Sequence, residues 1–341
     1  MKRAFFIFFL FGVFTAGAFA QITFGATAYV GIQVESPFSD THTSETVSAT
    51  HRREGPSNID FFMVGTRDNM GFRLDLNYQI AAEDPVRLDG LYGWTNLFDN
   101  SLNLAFGRIS NGRWVSVLDA DHKMTFDEIT GFRVAYDVRL LPGLNVGVAF
   151  PAEGLTDEEY DLEKFFRRVV FGASYVHPLF TAVFAYDLGS NTRMLFGLNL
   201  AGFGSLTSAG IQMVVSNMAT WDNRILTGQI QLRERVEFRI TREFSVALLA
   251  SQTFFGHPDR DTALLFNLTA SYRFNHIITA FLSGEISSPD YFETNTYKIR
   301  PSLEFAMGGA GFLYVEYELE LGRYRMDSFH RFGIGLNIRI F

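Results

Sequence analysis

The chain has 341 residues, 47% of them hydrophobic, 16% aromatic and 19% charged, with 37 Phe and no Cys. The missing cysteines exclude a disulfide scaffold, thiolate zinc sites and a cysteine-anchored lipoprotein, and they suit an oxidising compartment. A formal charge of −8, with no basic stripe interleaved with aromatics, excludes nucleic acid as a partner.

Residues 1–20 read as an export signal. Lys2 and Arg3 form a positive start, Ala4 to Phe14 an apolar run, and Ala18-Phe19-Ala20 a small-x-small cleavage site. The expected mature chain is 21–341, and loss of Lys2 and Arg3 takes the formal charge from −8 to −10. Elsewhere no run approaches the ~18 apolar residues that a spanning helix needs.

From Gln21 the chain is a succession of alternating segments. Ile22–Val34 places Phe24, Ala26, Ala28, Val30 and Ile32 on one face, and a Ser/Thr-rich connection follows to Ser57. Asn58–Arg67 and Met70–Ile80 form a hairpin across Asp68-Asn69, and Leu88–Leu97 joins Leu102–Ile109 through Asp99-Asn100, both Asx-rich turns. After a long connection, Ser110–Glu128, the segments Ile129–Arg139 and Leu144–Phe150 pair across Leu141-Pro142-Gly143. The acidic stretch Pro151–Glu163 leads to Lys164–Val176, Leu179–Asp187, Thr192–Ala201 and Leu206–Ser216. Ile225–Ile240, Glu243–Phe254, Thr262–Arg273, Ile277–Ile286, Thr294–Phe305, Gly311–Leu321 and Phe329–Phe341 complete a count of 18, and 16 fits the same pattern if boundaries shift.

Leu313–Leu321 shows what these strands share. Leu313, Val315, Tyr317, Leu319 and Leu321 form a greasy face, while Tyr314, Glu316, Glu318 and Glu320 form a polar one. Long connections follow odd-numbered strands and tight turns follow even-numbered ones. That is the pattern of an all-β, closed antiparallel transmembrane β-barrel, with apolar side chains toward lipid and charged ones toward a wet lumen. Closure pairs every backbone amide, which hydrocarbon demands. A soluble sandwich or propeller would not explain repeated Arg and Glu on one strand face, and the chain lacks a propeller's fixed-period repeat.

The last strand ends Arg331-Phe-Gly-Ile-Gly-Leu-Asn-Ile-Arg-Ile-Phe341. An alternating final strand closed by Phe341 resembles the assembly signal of bacterial outer-membrane β-barrels, which implies recognition by the barrel-assembly machinery and residence in outer-membrane lipid. The match departs in phase, because Phe341 falls with Asn337 and Arg339 rather than with Ile338 and Ile340.

A lumen this wide holds water unless plugged. Only Glu35–Ser57 and Ser110–Glu128 are long enough to fold far inward. The second is the third long loop, and it resembles the inward loop of general porins, which sets acids against a wall of arginines. The resemblance implies a constriction with Asp119, Asp121, Asp127 and Glu128 on the loop. The candidate basic wall is Arg73, Arg133, Arg233, Arg235, Arg239, Arg273 and Arg300, all on the polar phase of strands. Opposed charges across a narrow channel orient polar solutes. The expected function is passive diffusion of small polar solutes or ions, with no cofactor and no metal. The same loop acids also read as a solvated outer loop, and the arginines as braces for Glu237, Glu304, Glu316 and Glu318. A surface adhesin or structural barrel using Glu35–Ser57, and a barrel hydrolase built on Asp119, Asp121 and His122, are the alternatives. The apolar exterior is equally compatible with a homo-trimer and a monomer.

Overall fold

The computed structural model describes residues 21–37, 46–51, 55–80, 85–115, 117–118, 126, 128–152, 169–188, 193–216, 228–256, 261–322 and 328–339. The leader 1–20 and Phe341 lie outside the described residues.

Eighteen strands follow one another in sequence, each hydrogen-bonded to its neighbours: β1 Gln21–Pro37, β2 Asn58–Arg67, β3 Met70–Gln79, β4 Val86–Leu97, β5 Leu102–Arg108 and β6 Thr130–Asp137. Then come β7 Leu144–Pro151, β8 Val170–His177, β9 Phe180–Asp187, β10 Arg193–Phe203, β11 Leu206–Ser216 and β12 Gln229–Arg239. The last six are β13 Phe244–Phe255, β14 Ala263–Arg273, β15 Ile278–Ser288, β16 Thr296–Ala306, β17 Gly311–Leu321 and β18 Phe329–Arg339. All pairings are antiparallel. β1 takes β2 on one edge and β18 on the other, from Thr27↔Arg339 to Pro37↔Phe329, so the sheet closes. The sequence count of 18 therefore holds, and 16 does not.

The tight turns show the expected chemistry. Asp68 adopts φ 52° between β2 and β3, and Asp99 and Asn100 adopt φ 52° and 66° between β4 and β5, conformations that Asx side chains tolerate. The main departure is at β1, which overshoots its expected end by three residues to Pro37. Its pairing with β2 ends at Tyr29; beyond it Gly31 N donates to Ser57 Oγ at 2.9 Å, Ser57 Oγ donates to Gly31 O at 3.0 Å, and Thr46–Ser48 pairs with Gln33–Glu35. The long connection that follows β1 thus carries strand of its own, including a small ladder of Thr50–His51 with Gly55–Pro56.

The outer face is predominantly apolar. Phe24, Phe61, Phe106, Phe171, Phe184, Phe196, Leu248, Leu282 and Ile334 are all exposed there, as lipid-facing side chains must be. The inner face is not uniformly polar. From β4 to β11 the inward positions Tyr92, Ala105, Ala149, Val170, Val183, Ala185, Leu195 and Val214 are buried with Ile109, Trp114, Phe126 and Ile129 of the third long connection. A dry core therefore occupies one side of the lumen.

The closing seam is laced by charge instead. Glu318 of β17 accepts from Arg300 Nε and Nη2 on β16, and from Arg331 Nη1 on β18 at 2.7 Å. Arg331 Nη2 also donates to Glu35 of β1 at 2.7 Å. Glu318 is buried, so removing its charge would leave two guanidiniums without their shared partner. We expect Glu318→Gln to lower stability by about 1–3 kcal/mol, below the full cost of breaking a buried pair because both arginines reach lumen water. The check is the urea midpoint of the detergent-folded barrel, which should fall.

Candidate functional site: a divided lumen

The third long connection leaves β5 and enters the barrel. Its base is closed by a backbone bond from Ile109 N to Ile129 O at 2.7 Å. Gly112 N donates to Glu128 Oε1 at 3.4 Å, tying the two limbs together. Ser110 Oγ donates to Asp75 of β3, and Gly90 of β4 leaves the space for that contact. Arg133 of β6, only 3% exposed, donates from Nη1 to Asn111 O at 2.6 Å.

Beyond that root the loop lies against bare backbone. The Trp114 indole is fully buried and covers Gly147 of β7 and Gly172 of β8. A Cβ on Gly172 would stand 1.8 Å from the indole ring, and one on Gly147 3.0 Å from it. Trp114 Nε1 donates to Asn145 Oδ1 at 3.2 Å, and Asn145 Nδ2 donates to Asp137 at 2.7 Å. Arg113 pairs with the same Asp137 at 3.5 Å.

The loop then crosses to β12. Val117 lies over Gly197 of β10 and Leu118 over Gly210 of β11, where added Cβ atoms would meet them at 2.8 and 2.2 Å. Val117 N donates to Gln212 Oε1 of β11 at 3.3 Å, and Arg235 Nη1 of β12 donates to Leu118 O at 3.2 Å. Phe126 is buried beneath the Arg193 guanidinium, 5.0 Å from its ring centre. Arg193 in turn pairs with buried Asp187 at 3.0 Å.

The other side of the lumen stays open. A cavity of about 1170 Å³ runs along β12 to β17, with Arg233 and Arg235 on one flank and Glu285, Glu304 and Glu316 on the other. Arg300 stands on the acidic flank, held by Glu318, and Ser251, Asn267, Thr269 and Ser283 line the floor between. Lys298 bridges Glu320 at 3.1 Å and Glu285 at 3.9 Å near the long-loop end of that flank. A second cavity of about 710 Å³ opens between Asn58, Asn77, Arg87, Asp89 and Glu128 on the far side of the loop root.

The basic positions expected from sequence all fall in the inward phase, but they do different things. Arg233, Arg235 and Arg300 line the open cavity. Arg133 is a buried strut under the loop rather than a channel-lining group. Arg73 Nε donates to both oxygens of Asp75, at 2.8 and 2.9 Å, with its guanidinium 5.5 Å from the centre of the Phe62 ring. Arg239 and Arg273 are exposed at the tight-turn rim, away from the loop. Of the loop acids, Glu128 is exposed at the rim of the second cavity, and Asp119, Asp121 and Asp127 lie outside the described residues, as does His122.

Sequence reading missed Trp114 and its glycine seat. The signal was present: on β5 to β10 the inward phase holds Ala105, Ala135, Gly147, Ala149, Gly172, Ala185 and Gly197, residues too small to fill a lumen and too apolar to line water. A partner from elsewhere in the chain has to cover them.

No family model and no curated protein matches the sequence. Solved structures do match in shape. OccAB4 of Acinetobacter baumannii superposes with a TM-score of 0.62 at 10% identity, covering 94% of this chain and 98% of that one. OccK11 (OpdR) of Pseudomonas aeruginosa gives 0.61 at 12%, covering 94% and 96%. A mutant of Rh. blastica porin gives 0.52 at 11%, covering 93% and 100%. Barrel closure, strand number and apolar exterior thus give the chain the fold of the porin-like transmembrane β-barrels. At these identities the likeness is one of fold, and the loop seat and lining charges are properties of this chain's own residues.

If Trp114 holds the loop in place, Gly172→Val should force it off the wall. Trp114→Ala should free it by removing packing worth about 3–5 kcal/mol. Both variants are expected to give larger and noisier single-channel conductance than the parent in planar bilayers.

Proposed function

We propose that this chain is an outer-membrane pore through which small polar solutes or ions diffuse passively past a charged constriction. The observation that carries the reading is the cavity of about 1170 Å³ left beside an inward-folded loop, where ionised, amide and hydroxyl side chains stand among Leu249, Leu265 and Phe281. In this reading the long connections face outward from the cell and the tight turns face the periplasm, with 1–20 removed as a signal peptide. The last strand and Phe341 are what the assembly machinery reads.

The lining suggests how the constriction works. Three arginines, Arg233, Arg235 and Arg300, are balanced by three glutamates, Glu285, Glu304 and Glu316, so the cavity is not strongly selective by net charge. The charges are segregated, however: Arg233 and Arg235 stand on β12 and the glutamates on β15 to β17. A field across the channel aligns solute dipoles and disfavours apolar solutes, which cannot repay displaced water. In this proposal the loop acids Asp119, Asp121, Asp127 and Glu128 supply negative charge to the constriction, Glu128 from the rim of the second cavity, and Arg235 meets the loop through Leu118 O.

Reversal potentials in a salt gradient test the reading. The double variant Arg233→Gln/Arg235→Gln should shift permeability toward cations, and Glu285→Gln/Glu304→Gln toward anions. Neutralising Asp119, Asp121, Asp127 and Glu128 together should also reduce cation preference. A parent protein that inserts without conductance steps would remove the proposal's basis, and unchanged reversal potentials would move the ion path away from this cavity.

A further inference from the structure

The barrel exterior breaks its own rule at one place. Arg233 and Arg235 line the lumen, so strand alternation sends Glu234 outward, with Leu232 and Val236 on the same face. Glu234 is exposed, and its cross-strand neighbours are Ile211 and Ala250. Ile230 and Phe238, four residues away on either side, are also exposed to the lipid side. That spacing is ~13 Å of strand in each direction, or ~10 Å of depth at the usual tilt, so the carboxylate sits mid-band and cannot reach either interface by bending. The other carboxylates on the described strands fall in the inward phase by register, including Asp60, Asp75, Glu237, Glu304 and Glu316.

Its diagonal neighbour is polar as well. Ser251 and Thr253 line the lumen, so Gln252 of β13 points outward, between Leu232 and Leu264 in register. Among the described residues neither Glu234 nor Gln252 has a hydrogen-bond partner. A carboxylate in hydrocarbon is retained where a donor meets it. Here an acceptor and a donor stand side by side on one face, with small Ala250 next to Glu234 to let another surface approach.

We propose that this face, β12 and β13, is where a second copy of the chain docks. A two-fold axis along the membrane normal, passing between the two strands, sets each Glu234 against Gln252 of the partner subunit. One self-complementary patch then satisfies both polar groups twice. This contact is separate from the lumen and holds whether or not the cavity conducts.

The chain has no cysteine, so single introduced thiols report the contact. In membranes carrying the full-length protein, Val236→Cys should cross-link through a bifunctional maleimide to a band of twice the mass. Leu74→Cys, outward on β3 at the opposite side of the barrel, should not. Adding Glu234→Leu, or separately Gln252→Leu, to Val236→Cys should abolish most of that band, with heat-modifiable gel mobility confirming that each variant is folded. Cross-linking at Leu74→Cys as well, no dimer from Val236→Cys, capture of a different protein there, or a dimer indifferent to Glu234→Leu would each overturn the proposal.

Discussion

The contact on which this structure turns is an indole pressed against bare backbone. Trp114 occupies the space that side chains on Gly147 and Gly172 would need, and Val117 and Leu118 repeat the arrangement over Gly197 and Gly210. Packing of this kind is sensitive to a single added methyl, because neither the ring nor the strand beneath it can give way. The glycines therefore do more than tolerate the loop: they fix its depth in the barrel and decide how much lumen is left.

That decision sorts the interior into two chemistries. Under the loop, Ala105, Ala149, Ala185, Leu195 and Val214 join Ile109, Phe126 and Ile129 in a core that excludes water. Three polar groups at this core find partners: Trp114 Nε1 reaches Asn145, Arg133 Nη1 reaches Asn111 O, and Val117 N reaches Gln212. Across the barrel, Arg233, Arg235, Arg300, Glu285 and Glu304 line the open cavity. Buried Glu318 is shared by Arg300 and Arg331, so Arg300 both lines that cavity and helps hold the seam where first and last strands meet. The dry side supplies a fixed wall, the open side a polar cavity, and the loop between them sets the boundary.

Strand number, strand order and the direction of the apolar faces were legible in the sequence, because period-2 alternation and the rhythm of long and short connections survive single-residue exceptions. The inward placement of Arg233, Arg235 and Arg300 followed from the same phase. The fate of Arg133 did not, since alternation says which face a residue takes but not what will cover it. The small inward residues of β5 to β10 could have warned of that cover, but they read locally as ordinary strand, and their partner, Trp114, sits in a connection with no periodicity at all. The overshoot of β1 to Pro37 was equally hidden, because what stabilises it is pairing with Thr46–Ser48 and β18 rather than its own sequence.

The central claim is that one side of this lumen is dry and the other wet, and thiol accessibility measures it directly. In the cysteine-free parent, Ser283→Cys on the open flank should react quickly with a small charged methanethiosulfonate. Ala185→Cys, beneath the loop, should stay unreacted until Trp114→Ala releases the cover. Equal reaction at both positions in the presence of intact Trp114 would contradict the division of the lumen.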